Sequence, residues 1–271
     1  MNPYMDRIID WLFRPYSCET VAKLPFDLKL VIPPNCKVAR NLIAGIYEKE
    51  LTSVFTKLIK KGMNIVDIGA HIGYYTLLAS RLVGPNGKVF AFEPDPVNLI
   101  YLKTNISINN CSNVIITSKA VFRKNGEAYL LIQPDHSTNY LSRFPKDKEG
   151  AFKVPTVTLD VFFGMLGWPR VDLIKADVEG SEVAVLEGMT ELSRRNPHLC
   201  IILECNPKAL KRAGYSTDSL ITSLKNLGYN KGYIIERSLQ PFDLRKGFPY
   251  LLTKGSTAYN LLLIKRLIGK T

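Results

Sequence analysis

The chain has 271 residues, 46% hydrophobic and 22% charged, the proportions of an ordinary globular protein rather than a disordered or fibrous one. That length supports one large α/β domain with a substantial core and excludes two full catalytic domains, and no apolar run reaches the ~20 residues a bilayer crossing requires. The net charge of +12 is concentrated at one end: from Lys208 onward there are twelve Lys and Arg against three acids, Asp218, Glu236 and Asp243, a surface suited to an anionic substrate, nucleic acid or an anionic membrane face, or to nothing but solvent.

Met1 to Cys18 carries Asp6, Arg7 and Asp10 among Ile8, Ile9, Trp11, Leu12 and Phe13. Those charges break up a signal-peptide core, and the segment reads as an amphipathic helix packed on the domain's flank, with peripheral membrane contact as the alternative. Leu24 to Val38 is interrupted by Pro25, Pro33 and Pro34, which predicts short strands outside any central sheet. Residues 1–45 are therefore expected to cap a domain spanning 46–271. Leu51, Val54, Phe55, Leu58 and Ile59 then recur at helical spacing up to Gly62.

Beyond Gly62 the pattern alternates: strand 64–68, helix 74–83, strand 88–92, helix 96–109, strand 114–118. Asp95 before Pro96 is a good N-cap and first-turn pair, so Asp95 is assigned to capping. Residues 121–133 and 152–158 read as added strands around a polar loop holding His136, Ser137, Thr138 and Asn139. This insertion, at about 121–158, is where substrate contacts are expected. Alternation resumes with Val171 to Ala176, a helix from about Ser181, strand 199–204, helix 217–227, strand 231–236 and a last strand 258–264. Strands alternating with helices predict a largely parallel sheet sandwiched by helices.

Cys18, Cys36, Cys111, Cys200 and Cys205 are odd in number and contain no Cys-x-x-Cys pair, which suits a reduced, cytoplasmic protein. With His71, His136 and His198 in unrelated contexts, no zinc site is expected.

The chemistry gathers at strand ends. Val66 to Thr76 runs from an apolar strand through Asp67, Gly69, Ala70, His71 and Gly73 into an apolar helix, and Glu93 closes the next strand. Glycines there permit a sharp turn and close ligand approach, and a carboxylate one strand later can take both hydroxyls of a ribose. A dinucleotide fingerprint would read Gly-x-Gly-x-x-Gly with a pyrophosphate on the helix N-terminus. Asp67, two residues before the first glycine, would repel a pyrophosphate but suits the ammonium of an amino-acid moiety, so S-adenosylmethionine is the cofactor predicted. Asp177 and Glu204 end the fourth and fifth core strands. In an open α/β sheet they point with Asp67 and Glu93 into one crevice. Glu182 is read as stabilising the first turn of the following helix.

The order Tyr47-Glu48, Asp67-Ile-Gly-Ala-His-Ile-Gly73, Phe92-Glu-Pro94, Ala120-Val121, Thr158-Leu159-Asp160, Lys175-x-Asp-Val-Glu-Gly-x-Glu182 and Glu204 resembles the FkbM family of S-adenosylmethionine-dependent methyltransferases, over roughly residues 40–265. The resemblance implies a class I methyltransferase fold, a Rossmann-like three-layer α/β sandwich whose seven-stranded, mostly parallel sheet has an antiparallel last strand. It also implies O-methylation of a hydroxyl on a sugar, glycan or other small-molecule natural product. His71 stands where the family usually has Asn. Carried over, Asp67, Gly69, Ala70, His71 and Gly73 form the loop around the methionine part of the cofactor, Glu93 holds the ribose diol, Ala120 lies near the adenine and Asp177 faces the transferable methyl.

A base to take the hydroxyl proton adds ~10²–10⁴-fold. Asp177 is the first candidate, equally readable as an anchor for cofactor or backbone, with Glu179, Glu204 and His136 behind it. A magnesium ion bridging Asp177 and Glu204 is the alternative to a base, although no metal site is assigned. Lys175 is expected to pair with these carboxylates. The rival functions are a nucleic-acid methyltransferase using the basic C-terminal quarter, with Tyr140 or Phe144 stacking on a base, and an inactive cofactor-binding partner protein. Amine methylation of a base is disfavoured because Asn206-Pro207 lacks the second proline and aromatic that chemistry calls for.

Overall fold

The computed structural model describes residues 17–133, 138–142, 151–254 and 257–265. The helix expected near the N-terminus, together with His136, Ser137 and Phe144, lies outside them. Fourteen strands form three sheets among these residues. A hairpin of β1 (Thr20–Leu24) and β2 (Leu28–Ile32) comes first. The central sheet starts with β3 (Asn64–Ile68), β4 (Lys88–Phe92) and β5 (Val114–Thr117). The insertion supplies β6 (Ala120–Val121), β7 (Gly126–Leu131), β8 (Tyr140–Ser142) and β9 (Ala151–Val157). The central sheet is then completed by β10 (Leu173–Ala176), β11 (Cys200–Cys205), β12 (Tyr229–Ile234), β13 (Gln240–Asp243) and β14 (Tyr259–Lys265).

The central order is β13-β12-β14-β11-β10-β3-β4-β5. From β5 to β11 the strands are parallel, and β14 enters antiparallel between β11 and β12. Those seven strands are the class I methyltransferase arrangement that the resemblance implies. The eighth, β13, is an addition to it: a four-residue edge strand carrying Pro241, a residue tolerated only where no ladder partner needs its N–H.

The chain leaves β3 toward β4 on one side and later returns to pair β10 on the other. That reversal opens a crevice at the carboxyl ends of β3 and β10, where ligands bind in open α/β sheets. Both faces of the sheet are buried, as near-continuous apolar strands require. Val66 and Ile68 join Phe90, Phe92 and Phe163 on one face, while Ile65 and Val89 join Phe55, Leu77 and Leu78 on the other. Helices Tyr74–Val83 and Pro96–Ile108 form close to where the periodicity places them, and the Asp95 side chain caps the second by accepting from the N–H groups of Val97 and Asn98.

One buried amide joins three parts of the molecule. The Val31 N–H donates to Asn105 Oδ1 (2.6 Å), and Asn105 Nδ2 donates to the carbonyls of Val31 (3.0 Å) and Ile72 (2.8 Å). The hairpin, the helix 96–108 and the loop after β3 are thereby fixed together. Among the described residues no helix is long and apolar enough to cross a membrane.

Candidate active site

The crevice is a cleft of about 1270 Å³ counting its open mouth. β3, β4, β10 and β11 supply its floor. Helix 74–83 forms one wall through Tyr74 and Tyr75, and the insertion roofs it with Ala120, Val121, Leu130, Thr138, Asn139 and Leu141. Of the residues predicted from the sequence, Asp67, Gly69, Ala70, His71, Glu93, Ala120, Asp177, Glu179 and Glu204 all line it. Gly73 does not: at φ +99 it starts the helix 74–83, and a Cβ there would come 2.8 Å from Leu102 Cδ1, so its smallness serves helix packing. His136 falls outside the described residues.

The loop after β3 is held by β4. The N–H groups of Gly69 and Ala70 both donate to the Phe92 carbonyl at 3.0 Å, and the His71 N–H donates to Glu93 Oε2 at 2.7 Å. His71 reaches that bond at φ +52, a left-handed conformation in which Asn and His are enriched. With those three N–H groups committed, an incoming pyrophosphate would lose the donors it depends on. The same bonds aim Glu93, whose Oε1 also accepts from the Asp95 N–H at 2.9 Å. The Asn98 side chain bonds to it as well, and the carboxylate keeps remaining acceptor capacity for a diol.

Asp67 is 1% exposed. Its Oδ2 accepts from Thr76 Oγ1 at 2.6 Å, while Oδ1 is buried without a partner. A buried carboxylate oxygen left unpaired costs free energy until a cationic or hydrogen-bonding group meets it. Burial accordingly raises the Asp67 pKa, opposed by Lys175 and Thr76. An amino-acid ammonium fits that position, a ribose fits Glu93, and the apolar side chains of Phe92, Ala120, Val121 and Leu130 suit an adenine. The donor set therefore fits S-adenosylmethionine.

Lys175 is the cation at the centre. It is 3% exposed, and its Nζ lies 3.2 Å from Asp177 Oδ2 and 4.7 Å from the Tyr75 ring centroid. Burial alone would lower its proton affinity; the charges of Asp177, Asp67 and Glu48 overcome that and raise it beyond the ordinary lysine range. The expected pairing of Lys175 with the carboxylates is what the structure shows. In sequence, Glu48 is no more than part of a motif. In the fold it lines the cleft, sits at φ +41 and accepts from the Tyr75 hydroxyl at 2.7 Å. Only the fold brings its charge within electrostatic reach of Lys175, so its position in sequence carries no signal of that influence.

The turn after β10 is braced from below. Glu182 is 1% exposed and accepts from the N–H groups of Val178 (3.2 Å) and Gly180 (3.3 Å). Its side chain thus turns back to fix the loop bearing Asp177 and Glu179, a correction to the expectation that it serves only the following helix. Glu179 accepts from Arg212, whose guanidinium stacks 3.9 Å from the Tyr140 ring centroid. Tyr140 and the basic C-terminal quarter therefore meet at the cleft's rim. Asn139 fastens the roof, donating to Asp95 Oδ2 at 2.5 Å and accepting from the Gln133 N–H at 2.7 Å.

Burial pushes Glu93 and Glu182 up to about 7. A carboxyl that holds its proton more tightly folded than unfolded adds stability that is complete below its unfolded pKa and is lost as pH rises through its folded one. The unliganded protein should therefore lose up to about 3 kcal/mol per such group between pH 5 and pH 7.5, lowering Tm by roughly 5–15 °C. Lys265, held down to about 8 by burial, acts in the opposite sense only above that window. Thermal denaturation across the window checks this, and a Tm that is flat or rises with pH would show these carboxyls to be ionised at no cost.

Residues 67–231 match the Methyltransferase FkbM domain. The chain is 29% identical over 147 residues to Methyltransferase 1 of Beauveria bassiana, covering 47% of this chain and 58% of that protein. It is 30% identical over 158 residues to Methyltransferase sdnD of Sordaria araneosa, covering 47% and 60%. It is 26% identical over 175 residues to the hexuronic acid methyltransferase AglP of Haloferax volcanii, covering 63% and 69%. The chain thus spans about three fifths of the length of the two fungal relatives. The family match begins at Asp67 and runs through Glu93, the turn after β10 and Glu204, the positions that build the cleft, and the chain belongs to the FkbM family of S-adenosylmethionine-dependent methyltransferases.

Proposed function

We propose that this chain transfers the methyl group of S-adenosylmethionine to a hydroxyl oxygen of a sugar, glycan or other small-molecule natural product. The observation that carries the reading is that one cleft is lined by Asp67, Glu93 and Ala120, read as the cofactor's partners, and by Asp177, Glu179 and Glu204, read as the acceptor's. When bound, the cofactor supplies a sulfonium-activated methyl. The chain's own part is to hold the acceptor oxygen in line with it, worth up to ~7–11 kcal/mol, and to receive the hydroxyl proton.

A hydroxyl-bearing carbohydrate is favoured by likeness to a protein named as a hexuronic acid methyltransferase. Nucleic acid is a poorer fit, because Arg212, Arg245 and Lys265 of the basic quarter are engaged by Glu179, Asp243 and the Ser193 carbonyl. Five free thiols suit a reducing, cytoplasmic setting.

The test is to supply radiolabelled S-adenosylmethionine with separate sets of uronic acids, glycans, natural-product alcohols and RNA. Label is expected in a hydroxyl compound and should survive mild alkali as an ether. Alkali-labile product would move the methyl to a carboxylate, and labelled RNA would overturn the small-acceptor reading. Glu93→Ala should weaken S-adenosylhomocysteine binding by ~1.5–3 kcal/mol, as expected for losing charge-assisted bonds to a diol. Unchanged affinity by calorimetry would remove Glu93 from the site.

A further inference from the structure

β10 and β11 run parallel in a register that pairs Ala176 with Leu203, so Asp177 and Glu204 leave the sheet side by side. Their situations differ. Asp177 gives Oδ2 to the Lys175 ammonium at 3.2 Å, so one of its oxygens is already engaged. Glu204 makes no ion pair among the described residues, lines the cleft, and has Oε2 buried without a hydrogen-bond partner.

We propose that Glu204, rather than Asp177, faces the transferable methyl and takes the proton of the acceptor hydroxyl. The inference rests on the O-methyl transfer reading above. In the step, a lone pair of the hydroxyl oxygen forms the new C–O bond, and the S–C bonding pair stays on sulfur, which becomes a neutral thioether. The hydroxyl proton passes to a Glu204 carboxylate oxygen.

The surroundings of Glu204 suit that role. Burial raises its proton affinity well above the usual carboxylate range, and Asp177, Glu182 and Glu179 raise it further against the pull of Lys175. From β14, Asn260 stands opposite Glu204 in register and is itself held by Glu236. Glu48 also lines the cleft, where its charge acts on Lys175 and Asp177. A base of this kind is protonated in the empty site and gives its proton up when a positive charge arrives at the methyl position.

This can be measured without knowing the acceptor. Sinefungin carries an ammonium-bearing carbon in place of the methyl-sulfonium centre, whereas S-adenosylhomocysteine is neutral there. Both place the same ribose on Glu93, so proton linkage from that residue is common to both. Calorimetry of the full chain at pH 7.5, in buffers of different ionisation enthalpy, counts the protons released. Sinefungin is expected to release more than S-adenosylhomocysteine, by up to about one proton. The difference should vanish in Glu204→Gln, with S-adenosylhomocysteine affinity retained as the check on folding, and should persist in Glu204→Asp and Asp177→Asn. Equal release by the two ligands, or a difference that survives Glu204→Gln and vanishes in Asp177→Asn, would overturn the assignment. Failure of both ligands to bind the wild-type chain would instead overturn the methyltransferase pocket itself.

Discussion

Lys175→Met is expected to destabilise the protein by about 3–5 kcal/mol, the cost of breaking a buried ion pair from one side. Methionine nearly matches the lysine stem in volume, so the loss would come from electrostatics and not from a cavity. Asp177 would lose its partner at 3.2 Å, and Asp67 and Glu48 would lose the charge that opposes their burial. Each carboxylate then protonates or admits water, and either response deforms the cleft. Chemical denaturation measures the change directly. Adding Asp177→Asn to Lys175→Met should recover part of the loss, because residues in one charge network are not additive. A Lys175→Met protein as stable as wild type would show that the three acids are already neutral and that the cleft has no charged centre.

Gly69→Ala is expected to be comparably severe for a different reason. Gly69 has φ +77, and a Cβ built there would lie 2.0 Å from the Asp177 carbonyl oxygen. That carbonyl cannot simply withdraw, since the Asp177 N–H is bonded to the Ile68 carbonyl at 3.1 Å and Glu182 braces the turn beyond it. The left-handed backbone alone costs ~1–2 kcal/mol for a residue with a Cβ. The clash adds enough that the variant should lose more than about 4 kcal/mol or fail to fold. Gly84→Ala is the comparison without a clash: φ is +67 and ψ −171, and nothing lies within 4 Å of the added atom, so only backbone strain of ~1–3 kcal/mol applies. Equal effects of the two substitutions in denaturant titrations would contradict the close approach of β3 and β10 at the site.

These two residues also show what the sequence discloses. Gly69 is legible because a glycine between an apolar strand and a helix marks a turn too sharp for a side chain. The turn reduces to local chain geometry, as does the capping of the helix by Asp95 before Pro96, whereas the close approach of the Asp177 carbonyl does not. The ends of β3, β4 and β10 are legible for a related reason, since acids at or near the ends of largely apolar strands are conspicuous. The pairing of Lys175 with carboxylates follows from its neighbours in the chain. The contribution of Glu48 does not, because it depends on a helix packing across the sheet from residues far away in sequence.

Asn105 illustrates the same limit. In sequence it is a polar residue inside an ordinary helix, and only the arrival of the hairpin makes it the amide that joins Val31 to Ile72. Asn206-Pro207 looks like a fragment of a catalytic motif, whereas its structural work is to cap and start the helix Pro207–Arg212. That helix carries the Arg212 that meets Glu179 and Tyr140. The helix Leu159–Met165, begun by Thr158 as N-cap, is likewise hidden within a motif string; its Asp160 accepts from the N–H groups of Glu191 and Leu192, so part of the family signature is architectural. Side chains that bridge elements are set by tertiary placement, and no periodicity announces them.

The central claim is that the cleft between β3 and β10 is a site for S-adenosylmethionine and not for a dinucleotide. Calorimetric titration of the purified chain with S-adenosylhomocysteine, and separately with NADH, tests it most directly. Stoichiometric binding of S-adenosylhomocysteine with no heat from NADH is the predicted result; binding of NADH alone, or of neither ligand, would contradict the account.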